Sequence, residues 1–291
     1  DWSSDVCSSD LTNNLGGANT TSQIAVANGA TNTYAALKNL TVNAPVFNVG
    51  ATTNGLLIAG TTTLAGDTTI NNAGNLLLAG KVVGSGAYNP VVTKIGAGNM
   101  IVVNLAAGSS NANGVSAWNA MQGTMEVRLG NGDISNPLGA GTTVALNGGA
   151  TFNVRHDGNS LTNMEVLGTF ASNNLQIGSA APAASAGFIP SANVTLSLDR
   201  QGTIATNKTV QFGTLRFGGA LGTAQLTQSV GSNFNSEFTG GLAIQGRDAV
   251  LNINGGQLTL DGNIIGNGTF VKLGSGELDI NTNGTGNTAT G

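Results

Sequence analysis

His156 is the single histidine of this chain, and eleven carboxylates lie beyond its first ten residues. These are the side chains with the means to move a proton or hold a hard cation. One histidine leaves little for a multi-histidine metal centre or a nucleophilic triad. His156 sits in Arg155-His156-Asp157-Gly158, directly after Phe152-Asn153-Val154, which reads as a polar corner leaving a strand and places the imidazole on the surface. No serine in a strained G-x-S-x-G turn accompanies it. Carboxylates work as acid–base pairs or calcium ligands when they converge. Asp67, Glu126, Asp133, Asp157, Glu165, Asp199, Glu237, Asp248 and Asp261 are scattered, and only Glu277 and Asp279 are close neighbours. Those two fall on the outward side of a strand whose Leu278 and Ile280 point inward, the pattern of solvated rim charges.

The glycine-rich stretches also fall short of ligand sites. Gly130-Asn131-Gly132-Asp133-Ile134 has the look of one G-x-G-x-D calcium repeat, and a single copy cannot build a site that takes ligands from successive turns. Gly74 to Lys81 resembles a phosphate loop but has Val82 where Ser or Thr is needed, and reads as a β-turn. Gly96-Ala97-Gly98 precedes no helix. The sequence therefore assigns no catalytic, cofactor-binding or metal-binding residue, and implies no cofactor.

The elements that carry these residues are short. Gly, Asn and Thr, poor helix formers, interrupt every window long enough for several helical turns. Short alternating runs bounded by Gly, Asn, Asp or Ser recur throughout, among them Gln23-Ile24-Ala25-Val26, Val46-Phe47-Asn48-Val49, Leu76-Leu77-Leu78, Met100-Ile101-Val102-Val103, Met125-Glu126-Val127-Arg128-Leu129 and Val194-Thr195-Leu196-Ser197-Leu198. Each reads as a strand.

Internal repetition sets the architecture. Lys94-Ile95-Gly96-Ala97-Gly98-Asn99-Met100-Ile101-Val102 aligns with Lys272-Leu273-Gly274-Ser275-Gly276-Glu277-Leu278-Asp279-Ile280. Upstream of each copy, Gly74-Asn75-Leu76-Leu77-Leu78-Ala79-Gly80 corresponds to Gly256-Gln257-Leu258-Thr259-Leu260-Asp261-Gly262. The first copy carries an extra connection containing Ala87-Tyr88-Asn89-Pro90, expected to protrude. In each unit Lys94, Gly96, Gly98, Met100 and Val102, or Lys272, Gly274, Gly276, Leu278 and Ile280, play structural parts. The glycines permit a tight corner, and the alternating apolar residues face one way. Such a strand buries its apolar side only by stacking on the next lap, at ~4.8 Å. The expected fold is all-β, a right-handed parallel β-helix of roughly a dozen coils over 12–291, with 20 to 25 residues per coil as the rough repeat length. The Ala/Pro-rich stretch near 179–193 reads as a loop protruding between coils.

Composition narrows the function. The chain is 40% hydrophobic and only 8% charged, with a net charge of −4, a balance that favours folding over disorder. No basic patch marks a nucleic-acid binder, and no apolar run approaches the ~20 residues of a helical membrane span. Asp1 to Leu11 reads in frame as the translation of a common short-read sequencing adapter, so residues 1–11 are expected to be unstructured and foreign to the fold. Setting them aside removes Cys7, the single cysteine, and three acidic residues. The expected protein is then nearly neutral, free of thiol chemistry and truncated at both ends.

The unit K-[I/L]-G-[A/S]-G-x-[M/L]-x-[V/I] resembles the autotransporter-associated β-strand repeat, or passenger-associated transport repeat, of bacterial surface proteins. Lys272 to Ile280 follows the family pattern, Asn281 to Gly286 resembles its turn without the aromatic, and Asn119 to Val127 resembles its following strand. Asn136-Pro137-Leu138-Gly139-Ala140-Gly141-Thr142 is similar to stretches that commonly follow such repeats. The resemblance, covering about a third of the chain, implies export across the outer membrane and display at the cell surface or release. It implies a structural or adhesive role toward an extracellular ligand such as a polysaccharide or a host or matrix surface, without insertion of this stretch into a membrane. A β-helical polysaccharide lyase or hydrolase is the alternative. It would need several carboxylates and a Lys or Arg converging on one groove. A membrane β-barrel would need longer strands with aromatic girdles.

Overall fold

A computed structural model describes residues 11–13, 21–24, 34–50, 55–103, 114–133, 135–178, 193–202, 204–219, 223–246 and 248–281. Outside the described residues lie Asp1 to Asp10, Ala25 and Val26, Ile134, the Ala/Pro-rich stretch at 179–192 and the turn-like residues after Asn281. The described residues contain strands and turns and no helix. Internal contacts divide the chain into two compact units, Asp1–Arg128 with Ser135–Gly139, and Leu129–Ile134 with Ala140–Gly291.

In the first unit a four-stranded sheet holds Leu11–Asn13, Leu40–Val42, Thr62–Leu64 and Val82–Gly84. A second sheet holds Thr21–Ile24, Val46–Val49, Thr68–Asn72, Val91–Ile95 and Ala117–Ala120, and a third holds Tyr34–Leu37, Gly55–Ile58, Leu76–Leu78, Asn99–Val103 and Thr124–Leu129. Chain order runs from first sheet to second to third and back to the first. Every pairing among the described strands is parallel and joins a strand to its counterpart one lap away. This is a parallel β-helix.

The second unit repeats the plan. Its first sheet comprises Thr143–Leu146, Asn174–Ile177, Leu215–Phe217, Leu242–Ile244 and Ile264–Gly266. Its second comprises Thr151–His156, Asn193–Asp199, Thr223–Val230, Asp248–Ile253 and Phe270–Leu273. Its third comprises Glu165–Phe170, Lys208–Phe212, Asn235–Phe238, Gln257–Leu260 and Glu277–Ile280. The described strands complete ten laps, five in each unit, against roughly a dozen expected. The difference comes from long laps: Thr151 pairs with Thr195 and Leu175 with Leu215, whereas Gln257 meets Glu277 only twenty residues on.

Stacking aligns the apolar residues in columns. Leu56, Leu76, Met100 and Met125 follow one another up the third sheet of the first unit, beside Ile58, Leu78, Val102 and Val127, all of them buried. In the second unit Phe170, Phe212 and Phe238 form a column whose ring centroids are 6.0 and 5.4 Å apart. Fully burying each such side chain stabilises the stack by about 1.5–3 kcal/mol. Asparagines also align, with Asn48 beside Asn71.

Several expectations are corrected. His156 is not on the surface: it is the last residue of an inward-facing strand position and only 2% exposed. Leu278 is half-buried and Ile280 is 43% exposed, because they belong to the last described lap and only the Gln257–Leu260 strand pairs with theirs. Gly74 to Lys81 is not a single turn: the Leu76–Leu78 strand, expected from its own apolar run, lies between two bends. The connection with Ala87 to Asn89 is exposed as expected, and Asp67 ties it down, accepting from the Tyr88 hydroxyl at 2.7 Å and the Val91 N–H at 2.8 Å.

Candidate functional site

The residues of the repeat motif build corners. Strand alternation turns Lys94 inward, where an ammonium must find acceptors. Its Nζ donates to the carbonyls of Ile95 at 3.3 Å, Gly96 at 2.7 Å and Gln122, one lap on, at 2.9 Å. The side chain is fully buried, and burial lowers its pKa to about 8. Gly96 has φ +82°, and Gly274 in the second copy has φ +81°. Lys272 Nζ likewise donates to Gly274 O at 2.7 Å. A Cβ on Gly98 would strike the carbonyl oxygen of Gly74, and one on Gly276 would crowd Ile253 and Gly256. Met100 and Val102 face the core. The motif thus closes a lap and seats it on the previous one.

A second constellation was hidden from sequence reasoning. In the second unit, the Thr151–His156 strand delivers His156 into the interior, edge-on to Phe170 with ring centroids 6.5 Å apart. Nδ1 accepts from the Gly158 N–H at 3.0 Å, which leaves Nε2 to carry the proton toward Thr169 Oγ1 at 3.1 Å. Burial pushes the imidazole pKa down to about 4, against the opposing pull of Asp133, Glu165 and Asp157 and with a small push from Lys208. Asp157, itself buried, accepts from the backbone N–H groups of Gln201 at 2.9 Å and Gly202 at 2.8 Å. Glu165 accepts from Asn159 at 3.0 Å and Ser160 at 3.2 Å and pairs with the fully buried Lys208 at 3.1 Å. Burial would raise the Glu165 pKa, but these donors outweigh it and hold the carboxyl below its usual range. Lys208 also donates to the carbonyls of Ser160 and of Asn163, the latter at 2.8 Å.

Chemically, this network fastens loops. A histidine neutral down to about pH 4 with both nitrogens engaged is a poor base at neutral pH. The carboxylates of Asp157 and Glu165 are taken up by backbone amides, so the corner 157–165 is tied to Gln201, Gly202 and Lys208 of the next lap. The signal that could have revealed it is the inward parity of Phe152, Val154 and His156 along one strand, which the polar Arg155-His156-Asp157 run obscured.

Beside this network lies a cleft of about 690 Å³, bordered by Met164, Val166, Thr209, Ser232, Asn233 and Gly256. Asn207, Ser232 and Asn233 are the non-glycine residues with positive φ among those described, at 59°, 53° and 59°, and all three line it. Asn and Gly tolerate that conformation, and Asn233 Nδ2 donates to Asn207 Oδ1 at 3.3 Å, fixing the two corners one lap apart. Met164 is 89% exposed on the rim and Val166 is 57% exposed.

The remaining carboxylates do not converge. Glu126 pairs with Arg128 and Asp199 with Arg155, at 3.2 Å in the second case. Glu237 accepts from Gln211 at 3.0 Å. Asp248 accepts from the Thr269 hydroxyl at 2.6 Å and its N–H at 3.2 Å, which hold its pKa down. Glu277 and Asp279 are exposed, as expected. Among the described residues, no three His, Cys, Asp or Glu side chains form a group fit to hold a metal ion.

Comparison with known proteins finds no matching family model, no matching curated protein and no matching solved structure.

Proposed function

We propose that this chain is a non-catalytic, structural and adhesive stretch of an exported bacterial surface protein, the stacked region of an autotransporter passenger. The observation that supports it most is the equivalence of the two motif corners, Gly96 and Gly274 at φ +82° and +81°, each receiving its lysine at 2.7 Å. The residues that resemble the passenger repeat are thus the ones that close the laps, so the likeness is tied to architecture. The ligand on this reading is extracellular, a polysaccharide or a host or matrix surface.

The second reading, a polysaccharide lyase or hydrolase, is favoured by one observation: His156, Asp157 and Lys208 gather around Glu165, which lines the cleft. One experiment separates the two. The chain is fused between a secretion signal and a membrane β-barrel translocator in a Gram-negative host, and intact cells are treated with protease. Surface display with no release of reducing ends or unsaturated products from a polysaccharide panel is the expected result. Catalytic release abolished by Glu165→Gln would overturn the non-catalytic reading, and failure to reach the surface would overturn the passenger reading.

A further inference from the structure

We propose that the cleft bordered by Met164, Thr209, Ser232 and Asn233 is a binding site for a neutral oligosaccharide. This deepens the adhesive reading by naming a site and a ligand class for it. Three features of the cleft point to that chemistry.

First, it offers hydrogen-bonding groups that the protein leaves unused. Among the described residues the hydroxyls of Thr209 and Ser232 make no hydrogen bond, although both residues line a concavity bordered by successive laps. Asn233, also on the border, donates its amide nitrogen to Asn207 and brings a side-chain amide to the cleft. Hydroxyl and amide groups that both donate and accept match sugar hydroxyls, which do the same.

Second, the cleft is electrically neutral. Glu165 is the one ionisable residue on its border, and its carboxylate is consumed by Lys208 and by the Asn159 and Ser160 amides. Among the described residues that line it no cation is present to recognise an acidic sugar or a phosphate, so a neutral chain fits and a uronate does not.

Third, the site has preformed corners and an apolar rim. Its polar corner residues Asn207, Ser232 and Asn233 already adopt the left-handed conformation, and a preformed site has less to order on binding. Met164 and Val166 stand exposed on one edge and can cover the C–H face of a sugar ring. The volume, about 690 Å³, lies within the range of ligand clefts and accommodates a few sugar units.

The test uses the full chain labelled with 13C at the methionine methyls. Met164 on the rim reports binding, while the buried Met100 and Met125 serve as internal controls. Cellotetraose, maltotetraose and chitotetraose are titrated separately, with tetragalacturonate as the charged arm. At least one neutral tetrasaccharide is expected to shift the Met164 resonance saturably, with Kd near or below about 1 mM, leaving Met100 and Met125 unmoved. Thr209→Val keeps the shape and removes a hydroxyl; Asn233→Gly keeps the positive φ and removes the amide. Each should weaken binding at least fivefold, Thr209→Val with an unchanged melting temperature. No saturable shift with any neutral sugar, equal binding by both variants, or preferential binding of tetragalacturonate would each overturn the proposal. Cleavage of a bound sugar would leave the site standing and sink the non-catalytic reading instead, so the two failures are distinguishable.

Discussion

His156 shows how a single side chain can couple this fold to pH. In the folded chain its pKa is about 4, below the ordinary 6.5, because burial penalises the imidazolium. Above pH 6.5 both folded and unfolded chains carry it neutral, and its contribution to stability is fully present. As pH falls from 6.5 toward 4, the unfolded chain takes up a proton that the folded chain refuses, so stability is lost across that window. The full effect is on the order of 3 kcal/mol, at 1.36 kcal/mol per pKa unit. Asp133, Asp157 and Glu165 pull against the shift and Lys208 adds slightly to it. Thermal melts at several pH values should show a shallower decline between 6.5 and 4 for His156→Gln than for the unaltered chain. Equal slopes would mean that the ring is not held neutral.

The unit of construction is strand, glycine corner, strand. Two demands fall on its glycines, and they separate cleanly. Gly96 needs a backbone angle that L-residues avoid, while Gly98 needs space, because the carbonyl of Gly74 in the lap below lies where a Cβ would go. Gly66, at another corner of the same unit, has nothing within 4 Å of that position. Gly98→Ala should therefore cost about 2–3 kcal/mol through forced separation of adjacent laps, and Gly66→Ala should stay within about 0.5 kcal/mol. Urea denaturation of the two variants compares them directly, and similar midpoints would refute lap-to-lap contact as the source of the glycine requirement. The K-x-G-x-G frame was legible in the sequence for this reason: close approach of backbones leaves one residue type, and that type recurs at fixed spacing. The corner loops around Asp157, Glu165 and Lys208 were not legible, since their partners lie as far as 48 residues apart with no repeated spacing.

At the scale of the stacked units, a residue's weight depends on which lap it occupies. Leu258 and Leu278 hold equivalent positions in register. Leu258 is fully buried between the Asn235–Phe238 and Glu277–Ile280 strands. Leu278, on the last described lap, has a neighbour on one side only and is half-buried. A charge at Leu258 would be enclosed without a partner, whereas one at Leu278 retains access to water. Leu258→Asp should destabilise by about 4 kcal/mol or more, and Leu278→Asp by roughly half as much. Calorimetric melts that give the two variants equal losses would contradict a stability built lap by lap.

The sequence by itself determined that this chain is all-β and that its strands stack in parallel laps, because alternating apolar residues between glycine corners can bury themselves in few other ways. It also determined which residues form the Lys94 and Lys272 corners. Only the tertiary structure decided that His156 is buried, that Asp157 and Glu165 spend their charges on neighbouring loops, and that Asn207, Ser232 and Asn233 meet around one cleft. Those facts depend on how many residues each lap contains, and so on which residues of distant segments come to lie one above another. Local pattern sets the period of a strand, but the irregular lengths of the second unit's laps set the neighbours.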